Sequence, residues 1–589
     1  MKYFSSKKFK NLSSSKLLFG IWKSISKKRK LQIVLLFGVM ISSGIFELVS
    51  LGSVIPFLSV ISSPTELNNN KFISKLLFNL NFLNEENLIF FFTGLFALAA
   101  LVAASVRLLN YWLNSRLAAL IGSDLSCEVY KRALFQPYIV HVRSNSSELI
   151  TAATNQISIV VDVLRSILQM VTAIIVSLFL ILGIILISWR VAIFFLLLFS
   201  FLYILIALVI RKKLVRNSYV IASSTSDQIK ALQEGLGFIR DVIINRFQMA
   251  YLKIYRNADI NQRLRLADNQ FLGMFPRYAL EAFGIISIAI VATFLVSKDP
   301  KTSVFPVLGG LALSAQRLLP SLQIIYSSWA QVKGSKAAQE NVLNMMNIPI
   351  QKTKEKNKSF DFKEKLSLES VSFSYNESSP LILKNINLDI YKGERIGLIG
   401  KTGSGKSTLV DIFMGLLKPS VGNIKVDDFD LYNDNTEDHL INWRSLIAHV
   451  PQNIFLSDCS IAENIAIGCK KSEIDMVHLK RVAKLSKVDE FVETTKNGFN
   501  EVVGERGIRL SGGQRQRIGI ARALYRKKSI LIFDEATSAL DSNTENLVMD
   551  SINSLSRNIT LILIAHRIST LNNCDRIIRI EKGQIIKID

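Results

Sequence analysis

The stretch "GLIGKTGSGKSTLV", residues 397–410, decides the fold of the second half of the chain. Gly400 to Ser407 satisfy G-x-x-x-x-G-K-[ST], the spacing of a phosphate-binding loop. The apolar run "RIGLI" before it reads as a strand, and "STLVDIFMGLL" after it reads as a helix. Glycines at this spacing let backbone N–H groups wrap phosphate at a helix N-terminus. Gly400, Lys401, Thr402, Gly403, Ser404, Gly405 and Thr408 are thus candidate nucleotide contacts. Lys406 is placed for the β- and γ-phosphates, and Ser407 for Mg2+.

Further along, "SILIFDEATSALD" (529–541) reads as an apolar strand ending in two carboxylates. Asp534 suits Mg2+, and Glu535 suits a general base that polarises the attacking water. "LSGGQRQR" (510–517) is a second glycine turn opening a helix, again an anion-binding arrangement. His566 follows the strand-like "LILIA", where an imidazole can contact the γ-phosphate. Gln452 in "HVPQN" can sense both Mg2+ and water. Tyr375, 25 residues before Gly400, can stack on adenine. Alone, the histidine, glutamine and tyrosine each fit a packing role better; together, in this order along one chain, they favour a nucleotide site.

These motifs carry a resemblance. "GKTGSGKS", "VPQN", "LSGGQ", "ILIFDEATSALD" and "AHR" together look like the nucleotide-binding domain of the ATP-binding cassette (ABC) proteins. In that family two cassettes meet head to tail around ATP. The resemblance implies that Ser511, Gly512, Gly513 and Gln514 contact nucleotide held by the phosphate loop of the other cassette. One chain has one cassette, so it implies a dimer. Every catalytic position is present, which makes a homodimer with two competent sites the simplest expectation.

The chain has 589 residues, 49% hydrophobic and 20% charged. Its apolar content is concentrated before residue 331. Six runs approach the ~20 residues that cross a bilayer: 31–62, 88–112, 163–188, 191–210, 271–297 and 303–329. The third and fourth are separated only by "SWR", read as a tight reversal. The first run is too long for a cleaved signal peptide. The expected architecture is an α-helical transmembrane domain of six spans (31–330) after a basic segment (1–30). A polar linker (331–365) then joins it to an α/β P-loop ATPase domain (366–589). That order resembles ABC exporters, as does "VGERGIRLSGGQ" around the signature.

The net charge of +24 would suit nucleic acid, but its placement points to topology. Residues 1–30 hold ten basic and no acidic residues, and 211–270 hold eleven basic against five acidic. The loops on the other side hold only Lys71, Lys75, Arg190, Lys298 and Lys301. By the positive-inside rule both termini are cytoplasmic. Nucleic acid is therefore not an expected partner. The four cysteines form no CxxC pair and read as reduced thiols. "LFQPYIVHVRSNSSELI" (134–150) and "STSDQIKALQEGLGFIRDV" (224–242) are the candidate turns that touch the cassette.

Charges inside the spans are costly, roughly 2.5 kcal/mol or more at the bilayer centre. Arg107, Arg277 and Arg317 nonetheless fall within apolar runs, all in the cytoplasmic half, and Glu47 sits mid-way along the first. One account is structural: Arg107 snorkels, Arg277 pairs with Glu281, and Glu47 pairs with Arg317. The other is a basic cavity that receives an anionic headgroup, because guanidinium forks suit phosphate. "GIFELVSLGSVIPFLSVI", "PRYALEAFG" and "QRLLPSLQIIYSSW" resemble the membrane half of PglK-type flippases, which move lipid-linked oligosaccharides. That resemblance implies a polyprenyl-diphosphate sugar as substrate, a bacterial inner membrane, and a short outer-surface helix at "NNNKFISKLLFNLNFL" (68–83). The alternative substrate is another lipid, a peptide or a drug.

Overall fold

The computed structural model of the protein describes residues 12–54, 56–57, 85–143, 145–298, 304–350, 361–376, 378–432, 437–565 and 568–588. They form two compact units. One comprises the chain to Gln136 with Arg143–Ile350; the other comprises Pro137–Val142 with the chain from Gln351 onward. The expected surface helix at 68–83 lies outside the described residues.

The first unit is helical. α1 (Ser14–Ser24) and α2 (Lys27–Gly52) each begin after a serine, Ser13 and Ser26, whose hydroxyl accepts from the N–H three residues on. Such a cap satisfies a donor that the helix itself leaves open. α3 is Glu85–Leu134 and α5 is Ser146–Thr151; between them α4, Tyr138–Arg143, belongs to the other unit but for its last residue. A π-helical turn, Ala152–Gln156, leads into α6, Ile157–Gly237. α7 (Ile239–Ile244), α8 (Gln248–Lys298), α9 (Val304–Gly334) and α10 (Lys336–Met346) follow. Among the described residues, Lys27–Gly52, Ile89–Leu134 and Ser146–Ile185 are long and apolar enough to cross a membrane. The expected spans 191–210, 271–297 and 303–329 fall on α6, α8 and α9, whose side chains are described in part. Pro276 and Pro320 lie inside α8 and α9. Each removes a helical N–H, which packed membrane helices tolerate when neighbours satisfy the freed groups.

α6 counts 81 residues, which as a single straight rod would measure about 120 Å. It is not straight. Gln156 and Tyr219 line one cavity, and Gln156, Asp162, Ser218 and Ala222 line another. In a single rod Gln156 and Tyr219 would stand about 95 Å apart. The chain therefore doubles back, and the midpoints of these pairings fall at about 187–192, a range that includes the "SWR" tripeptide. After the reversal α6 runs antiparallel to α8. Phe199 packs on Leu280, Asn217 donates to Asn269 at 2.9 Å, Gln262 to Thr225 at 2.9 Å, and Gln228 to Asp259 at 2.7 Å. α2 runs alongside the outgoing arm: Leu36 and Met40 share a core with Leu168, and Leu51 with Leu180 and Ile184.

The second unit holds two sheets. β1 (Lys365–Phe373), β2 (Leu383–Tyr391), β4 (Val421–Val426) and β5 (Phe429–Asp430) form an antiparallel sheet in the order β2-β1-β4-β5. The other has the order β10-β9-β3-β8-β7-β6, with β3 at Arg395–Ile399, β6 at Ile447–Val450, β7 at Ile530–Asp534 and β8 at Thr560–Ile564. β9 (Arg576–Glu581) and β10 (Gln584–Ile588) close it with an antiparallel pair. β3, β6, β7 and β8 are parallel neighbours. Their runs "RIGLI", "ILIF" and "TLILI" are continuously apolar because the sheet is covered on both faces. Parallel strands deliver their following segments to one edge, where open α/β sheets bind ligands. The phosphate loop, Gln452, Asp534–Glu535 and the segment after Ile564 all leave from that edge. Ile139, within Pro137–Val142, packs against the apolar core of this unit.

Candidate functional site

The loop after β3 enters α11, Lys406–Phe413, through Gly405 at φ 104°, with Gly403 at φ 80°. Both conformations favour glycine. A Cβ on Gly400 would stand 2.3 Å from the carbonyl oxygen of Ile580, so this position needs glycine for space. Lys406 is buried, and its ammonium donates to the carbonyl oxygens of Gly400 at 2.7 Å and Lys401 at 3.2 Å. It thus curls over its own loop. Ser404, also buried, keeps a hydroxyl with no partner. A cradle of this kind, with a cation and an unmatched hydroxyl at a helix start, fits the phosphates of a nucleotide. Tyr375 lies beside it, with its hydroxyl 3.5 Å from that of Thr408 and its ring edge-to-face with Phe373 at 5.1 Å.

Asp534 ends β7 beside α11. Burial and the neighbouring Glu535 push its carboxyl up from the usual range, against the pull of Lys406 and a hydrogen bond from Ser407. A buried carboxylate bonded to the loop serine fits one coordination face of a divalent cation. Ser407 and Asp534 would hold Mg2+, with nucleotide oxygens completing the shell. Among the described residues no three His, Cys, Asp or Glu side chains form a metal cluster on their own. Glu535 takes φ 49°, in the left-handed region, with its N–H bonded to Ile564 at 3.0 Å. Strained backbone of this kind collects at functional positions. Its carboxylate accepts from the Gln452 amide at 2.6 Å.

Ser511 caps α12, Gly512–Tyr525, in a capping box. Its N–H donates to Gln514 at 2.8 Å, and its hydroxyl accepts from the Gln514 N–H at 3.2 Å. The signature therefore presents an ordered helix N-terminus. Gln516, one turn on, accepts from the Ala539 N–H at 2.9 Å and donates to Ser538 at 3.2 Å. This ties the signature helix to the segment that follows Glu535. His566 lies outside the described residues.

Two carboxylates, half-buried Asp411 and buried Glu545, escaped sequence reading. Asp411, one turn after Ser407 on α11, is pushed up to about 6 by burial and by Asp534. Its signal was available, since i+4 from the metal serine faces the same way. Glu545 accepts from Thr537 at 2.8 Å and Thr570 at 3.1 Å, pinning segments on both sides of β8.

In the helical unit, the expected Glu47–Arg317 pair involves a side chain outside the described residues, and Glu47 has a partner on another helix. Glu47, buried, pairs with Arg107, whose side chain stays 62% exposed. Glu47 faces α3 because α2 packs against α3 as well as α6. Arg107 is thus not a free guanidinium awaiting an anion. Arg277 is exposed on α8, as is Glu281. Arg317 lies on α9, and its side chain is outside the described residues.

The chain is similar to known proteins throughout. It matches the family described as ABC transporter over residues 383–538, and that described as ABC transporter transmembrane region over 32–305. It is 38% identical over 310 residues to the leukotoxin export ATP-binding protein LtxB of Aggregatibacter actinomycetemcomitans, covering 52% of this chain and 42% of the relative. It is also 38% identical over 306 residues to the leukotoxin translocation ATP-binding protein LktB of Mannheimia haemolytica, covering 51% and 42%. The chain thus spans less than half the length of these relatives. In fold it matches a bacterial Atm1-family ABC exporter solved with ATP bound, at TM-score 0.77 and 18% identity over 95% of each chain.

Proposed function

We propose that the chain, which matches the families described as ABC transporter transmembrane region over 32–305 and ABC transporter over 383–538, is a membrane protein of the ABC transporters and an ATP-hydrolysing exporter half. It works as a homodimer in a bacterial inner membrane, with both termini in the cytoplasm. The bond between Gln452 and Glu535 carries this reading, because it sets a metal- and water-sensing amide on the base itself. ATP binds the phosphate loop of one chain and the signature, Ser511 to Gln514, of the other. Lys406 leaves its own carbonyls for the β- and γ-phosphates. Glu535 takes a proton from the attacking water, and His566 contacts the γ-phosphate. Closure moves the helical units only because ATP binds the closed dimer better than the open one.

The cargo we propose is a polyprenyl-diphosphate-linked oligosaccharide. Support comes from the sequence resemblance to flippases and from exposed Arg277 on α8. With Arg107 engaged by Glu47, Arg277 and Arg317 are the guanidinium groups for the diphosphate. Polypeptide export is the second reading, favoured by what the leukotoxin relatives are named for. Reconstitution into vesicles separates the two. ATP-dependent appearance of a labelled lipid-linked oligosaccharide on the opposite leaflet, absent in Lys406→Ala, supports flipping. Hydrolysis that rises with an unfolded polypeptide and leaves that lipid in place overturns the flipping reading.

A further inference from the structure

A cavity of about 740 Å³ lies within the helical unit, between the two arms of α6, α8 and α9. That volume is within the roughly 300–1,000 Å³ of ligand-sized pockets. Its wall is rich in amides: Asn155, Gln156, Asn269, Gln270 and Gln331, with the ring of Phe271 beside them. Among the described residues neither lysine nor arginine lines it, and the one carboxylate among them, Asp162, is paired with Arg165 at 3.1 Å.

Two of these amides are held in an unusual way. Asn155 and Gln156 end the π-helical turn, a geometry that recurs at functional sites. Gln156 is 94% buried, at 6% exposure, and its side-chain oxygen has no hydrogen-bond partner; nor has that of Asn155. A buried unmatched acceptor costs stability unless a ligand or water matches it. Asn269 is fitted to its place. Its amide oxygen accepts from Asn217 at 2.9 Å, and its amide nitrogen would be 2.9 Å from any Cβ on Gly334.

We propose that this cavity binds the hydroxyl-rich sugar part of the substrate, a reading that rests on the exporter function above. Amide groups donate and accept at once, as vicinal hydroxyls do. A cation would need unpaired carboxylates and a phosphate would need bases, and the wall provides neither. Phe271 offers an apolar face for the C–H side of a sugar ring. Arg277 lies four residues beyond Gly273 of the same wall, on the same helix face. Along α8, Arg277 lies about 6 Å from the Gly273 edge of the wall and about 12 Å from Asn269, a spacing open to a sugar joined directly to the diphosphate.

The test uses the nucleotide-free full-length protein in nanodiscs and saturation-transfer NMR. The probes are maltotriose, chitotriose and spermine. We expect ring-proton transfer to at least one trisaccharide, insensitive to salt, falling about fivefold in both Gln156→Leu and Phe271→Ala. Phe271 is exposed, so its variant spares the core. Transfer to spermine alone, transfer to no probe, or sugar signals unchanged in both variants overturns the proposal. A sample that binds sugar yet hydrolyses no ATP when nucleotide is added fails the exporter reading instead.

Discussion

Glu535 holds its carboxylate 2.6 Å from the Gln452 amide while its backbone sits at φ 49°. The two facts share a cause. Asp534 must end β7 facing the phosphate loop, and the next side chain reaches the same edge only if the backbone turns through the left-handed region. Glu535→Gln keeps the shape and loses the base. Hydrolysis should fall about 100-fold or more, while ATP still binds and accumulates in closed dimers. A phosphate-release assay with retained radiolabelled ATP checks both.

Ser511 has two roles that one pair of variants separates. Ser511→Ala removes the cap and should cost about 1 kcal/mol along with hydrolysis. Ser511→Asp keeps an N-cap acceptor but sets a negative charge against the γ-phosphate. Its thermal midpoint should stay near wild type while its ATPase activity is lost. A midpoint that falls equally in both variants contradicts the capping geometry.

The loop glycines should differ in kind. Gly403 has nothing within 4 Å of its missing Cβ, so Gly403→Ala suffers only from φ 80°, about 1–2 kcal/mol. Gly400→Ala would drive a methyl into the Ile580 backbone at 2.3 Å. It should destabilise more and abolish nucleotide binding, as measured by unfolding with and without ATP.

Removing either member of the Glu47–Arg107 pair is not equivalent. Arg107→Ala strips a buried carboxylate of its Arg107 partner, at a cost of up to about 3 kcal/mol. Glu47→Gln leaves an exposed guanidinium that water or lipid phosphate can match, at about 1 kcal/mol. Detergent-resistant thermal unfolding should rank them in that order.

Two buried groups pull the pH dependence of the ATPase unit in opposite directions. Asp411 is pushed up to about 6, so the folded state holds a proton that the unfolded state has lost. Its contribution to stability falls as pH rises from about 4 to 6. Burial pushes His449 down to about 4, so there the unfolded state holds the extra proton, and stability rises with pH up to about 6.5. Measured without Mg2+, the stability gain of Asp411→Asn over wild type should grow between pH 4 and 6 and then level. The gain of His449→Gln should shrink over the same window. Mg2+ with nucleotide should diminish the Asp411 effect.

Much of the nucleotide site was legible because its chemistry dictates local sequence. Phosphate needs bare N–H groups, bare N–H groups need positive φ or close approach, and only glycine allows both; hence Gly400, Gly403 and Gly405. The parallel strands announced themselves as unbroken apolar runs, and the reversal at "SWR" followed from two spans with too little chain between them. Arg107 and Arg317 looked alike in the sequence, since both are single cations in apolar runs. That Arg107 meets Glu47 depends on the rotation of α2 against α3 and α6, and that rotation is set by side-chain packing far from the charges. The same holds for Asp411, whose shifted carboxyl needs Asp534 from another strand, and for Gln156, whose unmatched oxygen exists only because one helical turn widens and α6 folds back over it. Local covalent and conformational demands thus reached the surface as motifs, whereas every long-range pairing waited on how the helices and sheets came together.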